Sequence, residues 1–264
     1  MNVSTQDFAT VPVVLFCGGR GVVVHSGTLL PCNKALVQVR GKPLLWWVMC
    51  HYVQHGARDF VLATGIQCEQ FEPALHALGG QVSAQDPQQL AIDVLGQPCN
   101  VRLVPTGEQA STAQRLIACK PWVKHASSFA VTYSDTISDV NLSAELAFHV
   151  SANRIATLVA AKFPVRFRVL GIRSGESLVR AFASRPVIEA ASINGGYYLF
   201  TQEIWHDRFG LAQADALENT PLERLAQAGQ LTAFSHSGVW QNCDSGRDLE
   251  CIERIIQSGA LAVG

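Results

Sequence analysis

The amino-acid sequence predicts an α/β fold, a mixed but mostly parallel central sheet with helices on both faces. Three observations carry that prediction. Short, wholly apolar runs such as Val13-Val14-Leu15-Phe16 and Phe60-Val61-Leu62-Ala63 suit strands buried on both sides, which is the condition of a parallel sheet. Segments with apolar residues at helical spacing alternate with those runs. At 264 residues and 48% hydrophobic content, the chain is long and apolar enough to bury one large core. A single domain is expected over 1–264, with a core over about 12–162 and a C-terminal elaboration over about 163–264.

The elements follow in order. "PVVLF" (12–16) is the first strand. "KPLLWWVMCHYVQHG" (42–56) sets Leu44, Leu45, Val48, Met49, Tyr52 and Val53 on one helical face and stops at Gly56. "DFVLAT" (59–64) is a second buried strand, and "VRLVPT" (101–106) and "FAVTY" (129–133) extend the series. Residues 79–100 hold several Gln and two Pro and read as an irregular insertion or contact arm. "NLSAELAFHV" (141–150) is a helix and "RIATLVAAK" (154–162) a strand. Beyond 163 come shorter strand-like pieces, "FRVLGI", "SLVRAFA" and "NGGYYLF". "TPLERLAQAG" (220–229) reads as a capping box, with Thr220 as N-cap, Pro221 at N1 and Glu223 at N3. "SGRDLECIERIIQSG" (245–259) is a helix opened by Ser245, with Asp248 three residues on, and closed by Gly259.

Composition excludes several functions. With 20 Lys and Arg against 21 Asp and Glu, the net charge of −1 gives no general attraction to nucleic acid or to an anionic membrane. An anionic ligand therefore needs a local site. The eight cysteines are scattered, without C-x-x-C pairs or zinc-ligand spacing, and Cys17, Cys50 and Cys119 sit among apolar residues as small core side chains. No signal peptide or membrane-spanning run is visible, so the expected location is the cytoplasm.

Four features, and a pair of arginines, could carry chemistry. After the first strand comes Gly18-Gly19-Arg20-Gly21, where bare backbone lets N–H groups approach phosphate oxygens; taken alone, such a sequence is also a common tight turn. In "TYSDTISD", Asp135 ends a strand at the carboxyl edge of the sheet, the position of ligand sites in open α/β folds; Asp135 as a metal carboxylate and Asp135 or Asp139 as a cap for the following helix are both open. Asp244 lies between a Trp-containing strand end and a helix that Ser245 caps, which leaves this carboxylate for a second role beside Asp135. Lys34 stands in an apolar stretch, where a cation is costly unless it binds an anion or reaches solvent. Arg166 and Arg168 alternate along one strand-like segment and share a face.

In order and interval, these stretches resemble the sugar-1-phosphate nucleotidyltransferases, and within them the glucose-1-phosphate cytidylyltransferases. "GGRG", "NKALVQVRGKPLLWWVM", "VPTGEQASTAQRL", "FAVTYSDTISDVNLSAELAFH", "SINGGYYLF" and "TPLERLAQAGQLTAFSHSGVWQNCDSGRDLECIE" carry the resemblance over nearly the whole chain. It implies a Rossmann-like nucleotidyltransferase fold, often oligomeric, so a homo-oligomer is expected. It also implies transfer from a nucleoside triphosphate, CTP by similarity, to a small phosphorylated substrate, with Mg²⁺ and release of pyrophosphate. By the same resemblance Asp135 and Asp244 are the metal carboxylates and Lys34 the phosphate-contacting lysine. Phe16, Gly18, Gly19, Arg20, Gly21, Thr106, Gly107, Glu108 and Arg115 surround the nucleotide. Arg166, Arg185, Asn194, Gly195 and Gly196 face the acceptor. The chain departs from the family where the signature loop has Thr and Arg, which are Val22 and Val23 here. Loss of that Arg typically costs on the order of 10²-fold or more in rate. Further departures are Asn33-Lys34-Ala35, Ser134-Asp135-Thr136, Thr112-Ala113-Gln114-Arg115 and Ser184-Arg185-Pro186. Two functions are therefore expected side by side: a divergent nucleotidyltransferase, or a catalytically impaired relative serving as a nucleotide-binding regulatory or structural subunit.

Overall fold

A computed structural model of the chain describes residues 8–25, 28–162, 169–171, 181–183 and 192–261. Nine strands form the central sheet. In chain order they are β1 (Val13–Cys17), β2 (Asp59–Thr64), β3 (Gln81–Val82), β4 (Gln89–Val94), β5 (Gln97–Pro105), β6 (Ser128–Tyr133), β7 (Ala156–Ala161), β8 (Ile193–Thr201) and β9 (Leu231–His236). Across the sheet they lie in the order β9-β7-β8-β6-β1-β2-β5-β4-β3. The pairings β6–β1–β2–β5 and β7–β9 are parallel, whereas β8 opposes both β6 and β7, and β4 opposes both β5 and β3. Seven strands thus run one way and two the other, which is the mixed, mostly parallel sheet the sequence predicts.

The apolar runs explain the layers. In β1, Val13, Leu15 and Cys17 point into one core while Val14 and Phe16 point into the other. Phe60 and Leu62 of β2 divide from Val61 and Ala63 in the same way. The first core packs against α1 (Leu44–Gln54), α2 (Phe71–Ala77), α4 (Leu142–Ala152) and α6 (Gly246–Gln257). The second packs against α3 (Thr112–Val123) and α5 (Thr220–Gln227). Covering both faces is what allows a strand with no polar side.

Three expectations need correction. The stretch 79–100 is not irregular: β4 buries Leu90, Ile92 and Val94 and exposes Ala91 and Asp93, a period-2 pattern that its polar residues obscure. Leu95 and Gly96 turn the β4–β5 hairpin with φ of 56° and 73°, and Gly96 N donates to Asp93 Oδ1 at 2.8 Å. At α5 the cap position falls on Asn219, whose side chain makes no capping bond, so Thr220 is helical and the box does not form. A reciprocal box forms at α3 instead, between Ser111 and Gln114. Asn141, not Asp139, caps α4, and Asp139 accepts from Val239 N at 2.7 Å and from His236.

The Gly-rich segment also takes a particular course. Gly18 and Gly19 break β1, after which Arg20–His25 pairs antiparallel with Thr28–Asn33, Arg20 opposite Asn33. The chain therefore leaves the sheet as a two-stranded ribbon and returns to it at Lys34.

Candidate active site

Asn33 fixes the return of that ribbon. This buried side chain accepts from Ala35 N, capping the 3-10 turn Lys34–Leu36, and donates to Cys17 O and Ile66 O at 2.7 and 2.8 Å. The tie holds the backbone of Lys34 beside Gly19, whose carbonyl accepts from Lys34 N at 3.3 Å. Two further segments bring in acids. The strand Thr136–Ser138 pairs antiparallel with Trp240–Asn242, and Cys243 N donates to Asp135 O at 2.9 Å. This ladder places Asp135 and Asp244, far apart in sequence, side by side. Lys34 Nζ lies between them, 3.2 Å from Asp135 Oδ2 and 2.6 Å from Asp244 Oδ1.

Asp244 is held in turn by the start of α6. Its N–H donates to Asp248 Oδ2 at 3.2 Å, and the same oxygen accepts from Ser245 Oγ at 2.8 Å. Asn242 Nδ2 donates to Asp244 Oδ2. Burial holds the Asp135 carboxyl above its ordinary pKa, against the lowering effect of Lys34. Burial alone would lower the pKa of Lys34, but the hydrogen bond to Asp244 and the charge of Asp135 carry it above its ordinary value. The cluster sets two carboxylates around one ammonium and so offers net negative charge to a further cation. Hard oxygen donors converging on a cationic group fit a divalent ion such as Mg²⁺ completed by substrate phosphates. Among the described residues, no group of three or more His, Cys, Asp or Glu side chains is placed to hold a metal.

Beside the cluster opens a cleft of about 470 Å³ whose walls include Phe16, Gly18, Gly19, Lys34, Asp135 and Arg115. Phe16 meets Tyr133 edge-on at 5.7 Å, and Ser134 Oγ donates to Phe16 O at 2.8 Å, which ties β6 to β1 at the cleft floor. Arg115 is 5% exposed and lies across the bare backbone of Gly18 and Gly65. A Cβ on Gly18 would stand 1.9 Å from its guanidinium carbon, so a side chain there would have to push the guanidinium aside. The guanidinium donates to Thr64 O, to Thr106 Oγ1 and to Glu108 O, all neutral oxygens. Thr106 Oγ1 also donates to Thr64 O at 2.7 Å, and Gly107 turns the chain there with φ of 89°.

The structure thus gathers Phe16, Gly18, Gly19, Lys34, Glu108, Arg115 and Asp135 at one cleft, with Asp244 joined through Lys34. Thr106 and Gly107 lie behind Arg115, and Arg20 and Gly21 open the ribbon. Asn194, Gly195 and Gly196 begin β8, where their polar groups are engaged internally. Asn194 Nδ2 donates to Tyr198 Oη at 2.7 Å, Asn194 Oδ1 accepts from Gly196 N, and Gly195 O accepts from Trp240 Nε1 at 2.8 Å. Gly196, with φ of 74°, leaves room for the Tyr133 ring, which a Cβ would meet at 2.6 Å. Arg166 and Arg185 lie outside the described residues. Sequence reasoning missed Asn33, Tyr133 and Glu218. Asn33 was findable as an Asx cap just before a lysine; Glu218 reads only as a solvated acid ahead of a helix.

A family model described as nucleotidyl transferase matches residues 13–247. A glucose-1-phosphate cytidylyltransferase from Salmonella typhimurium is 34% identical over 253 residues, covering 93% of this chain and 96% of that protein. A mannose-1-phosphate guanyltransferase from Gibberella zeae is 28% identical over 241 residues, covering 89% of this chain and 61% of that protein. In fold, HddC from Yersinia pseudotuberculosis, solved in complex with GMP-PN, matches with a TM-score of 0.63 at 17% identity over 93% of this chain and 99% of that one. With its family model spanning most of the chain and a glucose-1-phosphate cytidylyltransferase 34% identical over 93% of it, the protein belongs to the nucleotidyl transferase family, among the sugar-1-phosphate nucleotidyltransferases.

Proposed function

We propose that the chain transfers a cytidylyl group from CTP to a sugar 1-phosphate, or to a related phosphate or phosphonate, and releases pyrophosphate. The observation that carries the reading is Lys34 Nζ between Asp135 and Asp244 at the edge of the cleft. The identity to a glucose-1-phosphate cytidylyltransferase supports CTP and a sugar phosphate as substrates.

In the reaction an oxygen of the acceptor phosphate attacks the α-phosphorus of the triphosphate. A P–O bond forms there as the bond to the bridging oxygen of the β-phosphate breaks, and pyrophosphate departs with that electron pair. No protein nucleophile is needed, so catalysis is positioning plus charge stabilisation. Asp135 and Asp244 would hold Mg²⁺, which supplies positive charge against the phosphates. Lys34 supplies a second positive charge on the same side of the cleft. The bare backbone of Gly19 leaves the floor open to phosphate or ribose, and Arg115, seated on Gly18, stiffens that floor through its three acceptors.

A second reading, a nucleotide-binding member without turnover, is favoured by Val22 and Val23, which lie in the ribbon where the family's loop has Thr and Arg. Pyrophosphate release with Mg²⁺, each of the four ribonucleoside triphosphates and a panel of sugar phosphates and phosphonates decides between them, with Asp135→Ala as the blank. Release from CTP and one acceptor, absent in the blank, supports transfer. Metal-dependent CTP binding without release from any pair supports the second reading. Neither binding nor release refutes both.

A further inference from the structure

We infer that Glu218 reads the nucleobase and selects one that carries an exocyclic amine, cytosine over uracil; the inference rests on the triphosphate reading above. Contacts order the cleft. Lys34 lies against Gly19, Gly18 lies under the Arg115 guanidinium, and Arg115 belongs to α3, whose first residue is Thr112. Phosphates belong at the cationic end beside Lys34, which leaves the base at the wall formed by Ser111, Thr112, Ala216 and Glu218.

Glu218 is fixed there at one oxygen only. Thr112 Oγ1 donates to Glu218 Oε2 at 2.7 Å and itself accepts from Leu217 N at 2.8 Å, so the hydroxyl that holds the carboxylate is itself held in place. The other oxygen, Oε1, is buried and has no hydrogen-bond partner among the described residues. A carboxylate at a helix N-terminus is stabilising by itself, and one such bond to Thr112 would satisfy that role. An acceptor left unpaired in a buried place is costly. Glu218 lines the cleft, so a small turn of its carboxylate that brings Oε1 onto a donor bound there removes the cost. A carboxylate only accepts, so it matches the N4 amine of cytosine. Uracil presents a carbonyl oxygen at the same ring position, which would leave both acceptors facing each other. Sites that hydrogen-bond one functional group reject the analogue without it far more strongly than apolar pockets discriminate by size.

The test compares Mg²⁺-dependent binding of CTP, UTP and the triphosphate of pyrimidin-2-one riboside, which has hydrogen in place of the amine. Wild-type protein is expected to prefer CTP by about 10- to 100-fold over each of the others. Glu218→Gln should bring the CTP-to-UTP ratio close to one, because an amide donates as well as accepts, and Thr112→Val, which frees the carboxylate from its tether, should lower the same ratio. The pyrimidin-2-one comparison needs no variant and holds if either substitution unfolds the chain. Equal binding of CTP and UTP by wild type overturns the role of Glu218 and leaves the triphosphate reading intact. An unchanged ratio in a folded Glu218→Gln protein overturns it as well. Failure of wild type to bind any triphosphate overturns the underlying reading and this inference together.

Discussion

Glu145→Gln should make the protein more stable at pH 7 and not at pH 4. Glu145 lies on α4, is 1% exposed, and has an oxygen without a partner among the described residues. Burial pushes its carboxyl from 4.5 up to about 8. The folded chain therefore holds this proton across a range where the unfolded chain has released it. Stability from this group is fully present below 4.5 and is lost as pH rises through 8. At pH 7 the interval from 4.5 corresponds to about 3 kcal/mol, an upper figure. Glutamine keeps the shape without needing a proton, which converts to roughly 6–10 °C in melting temperature for a chain of this size. His51 and His149 act in the opposite sense. Burial lowers them to about 3 and about 4, so the unfolded chain takes up their protons below 6.5 and stability falls towards acid. Both histidines are common to the two proteins, so the difference between their melting curves from pH 4 to pH 8 isolates Glu145. A constant difference across that range would refute the reasoning.

Lys34→Met removes the ammonium between Asp135 and Asp244, and pyrophosphate release should fall by on the order of 10²-fold or more at saturating substrate, measured against Asp135→Ala. Gly18→Ala forces the Arg115 guanidinium off its neutral acceptors and should destabilise the fold by about 1–3 kcal/mol in urea titrations. Ser111→Ala breaks the α3 capping box, for a loss of about 1 kcal/mol by the same titration. Asp248→Ala frees the backbone N–H of Asp244, and the Mg²⁺ concentration at half-maximal pyrophosphate release should rise about tenfold or more while the plateau rate changes less.

The sheet was legible because its centre is local in character. Five consecutive buried residues in β1, like the run in β2, have no other stable environment than a strand between two apolar layers, so the pattern names the element and the layer together. The edge was not legible for the converse reason. In β4 only alternate residues, Leu90, Ile92 and Val94, are buried, too short a pattern to stand out among the flanking Gln and Pro residues that suggested a loop. Caps failed where composition offered two candidates. Thr-Pro-Leu-Glu at 220–223 has the right residues, yet Leu222 N already bonds Leu217 O, and Glu223 N bonds Asn219 O, so the helix begins before a Thr220 cap could act. Ser-Thr-Ala-Gln at 111–114 has the box, but sits in a stretch read for nucleotide contacts rather than for helix entry.

The site separates along the same line. A residue that is expensive where it stands announces itself: Lys34 in an apolar stretch, Asp135 at a strand's end, Asp244 beside a cap already supplied by Ser245. What no local pattern contains is their convergence, because it depends on Thr136–Ser138 pairing with Trp240–Asn242 across about a hundred residues of chain. Resemblance supplied that pairing at the level of motif order, and the ladder supplies its cause. Glu218 marks the limit, since its meaning comes entirely from a threonine 106 positions earlier and from an oxygen left without a donor. A side chain whose cost is visible only after folding is invisible to periodicity, and such side chains are where specificity can change while the fold stays put. In the proposed reading Asp135 and Asp244 keep the charges the reaction needs, while the segments expected to depart from the family, 22–23, 112–115 and 184–186, lie elsewhere in the sequence. Common chemistry needs charge in fixed places, whereas the choice of base and acceptor depends on polar atoms that each subfamily is free to pair differently.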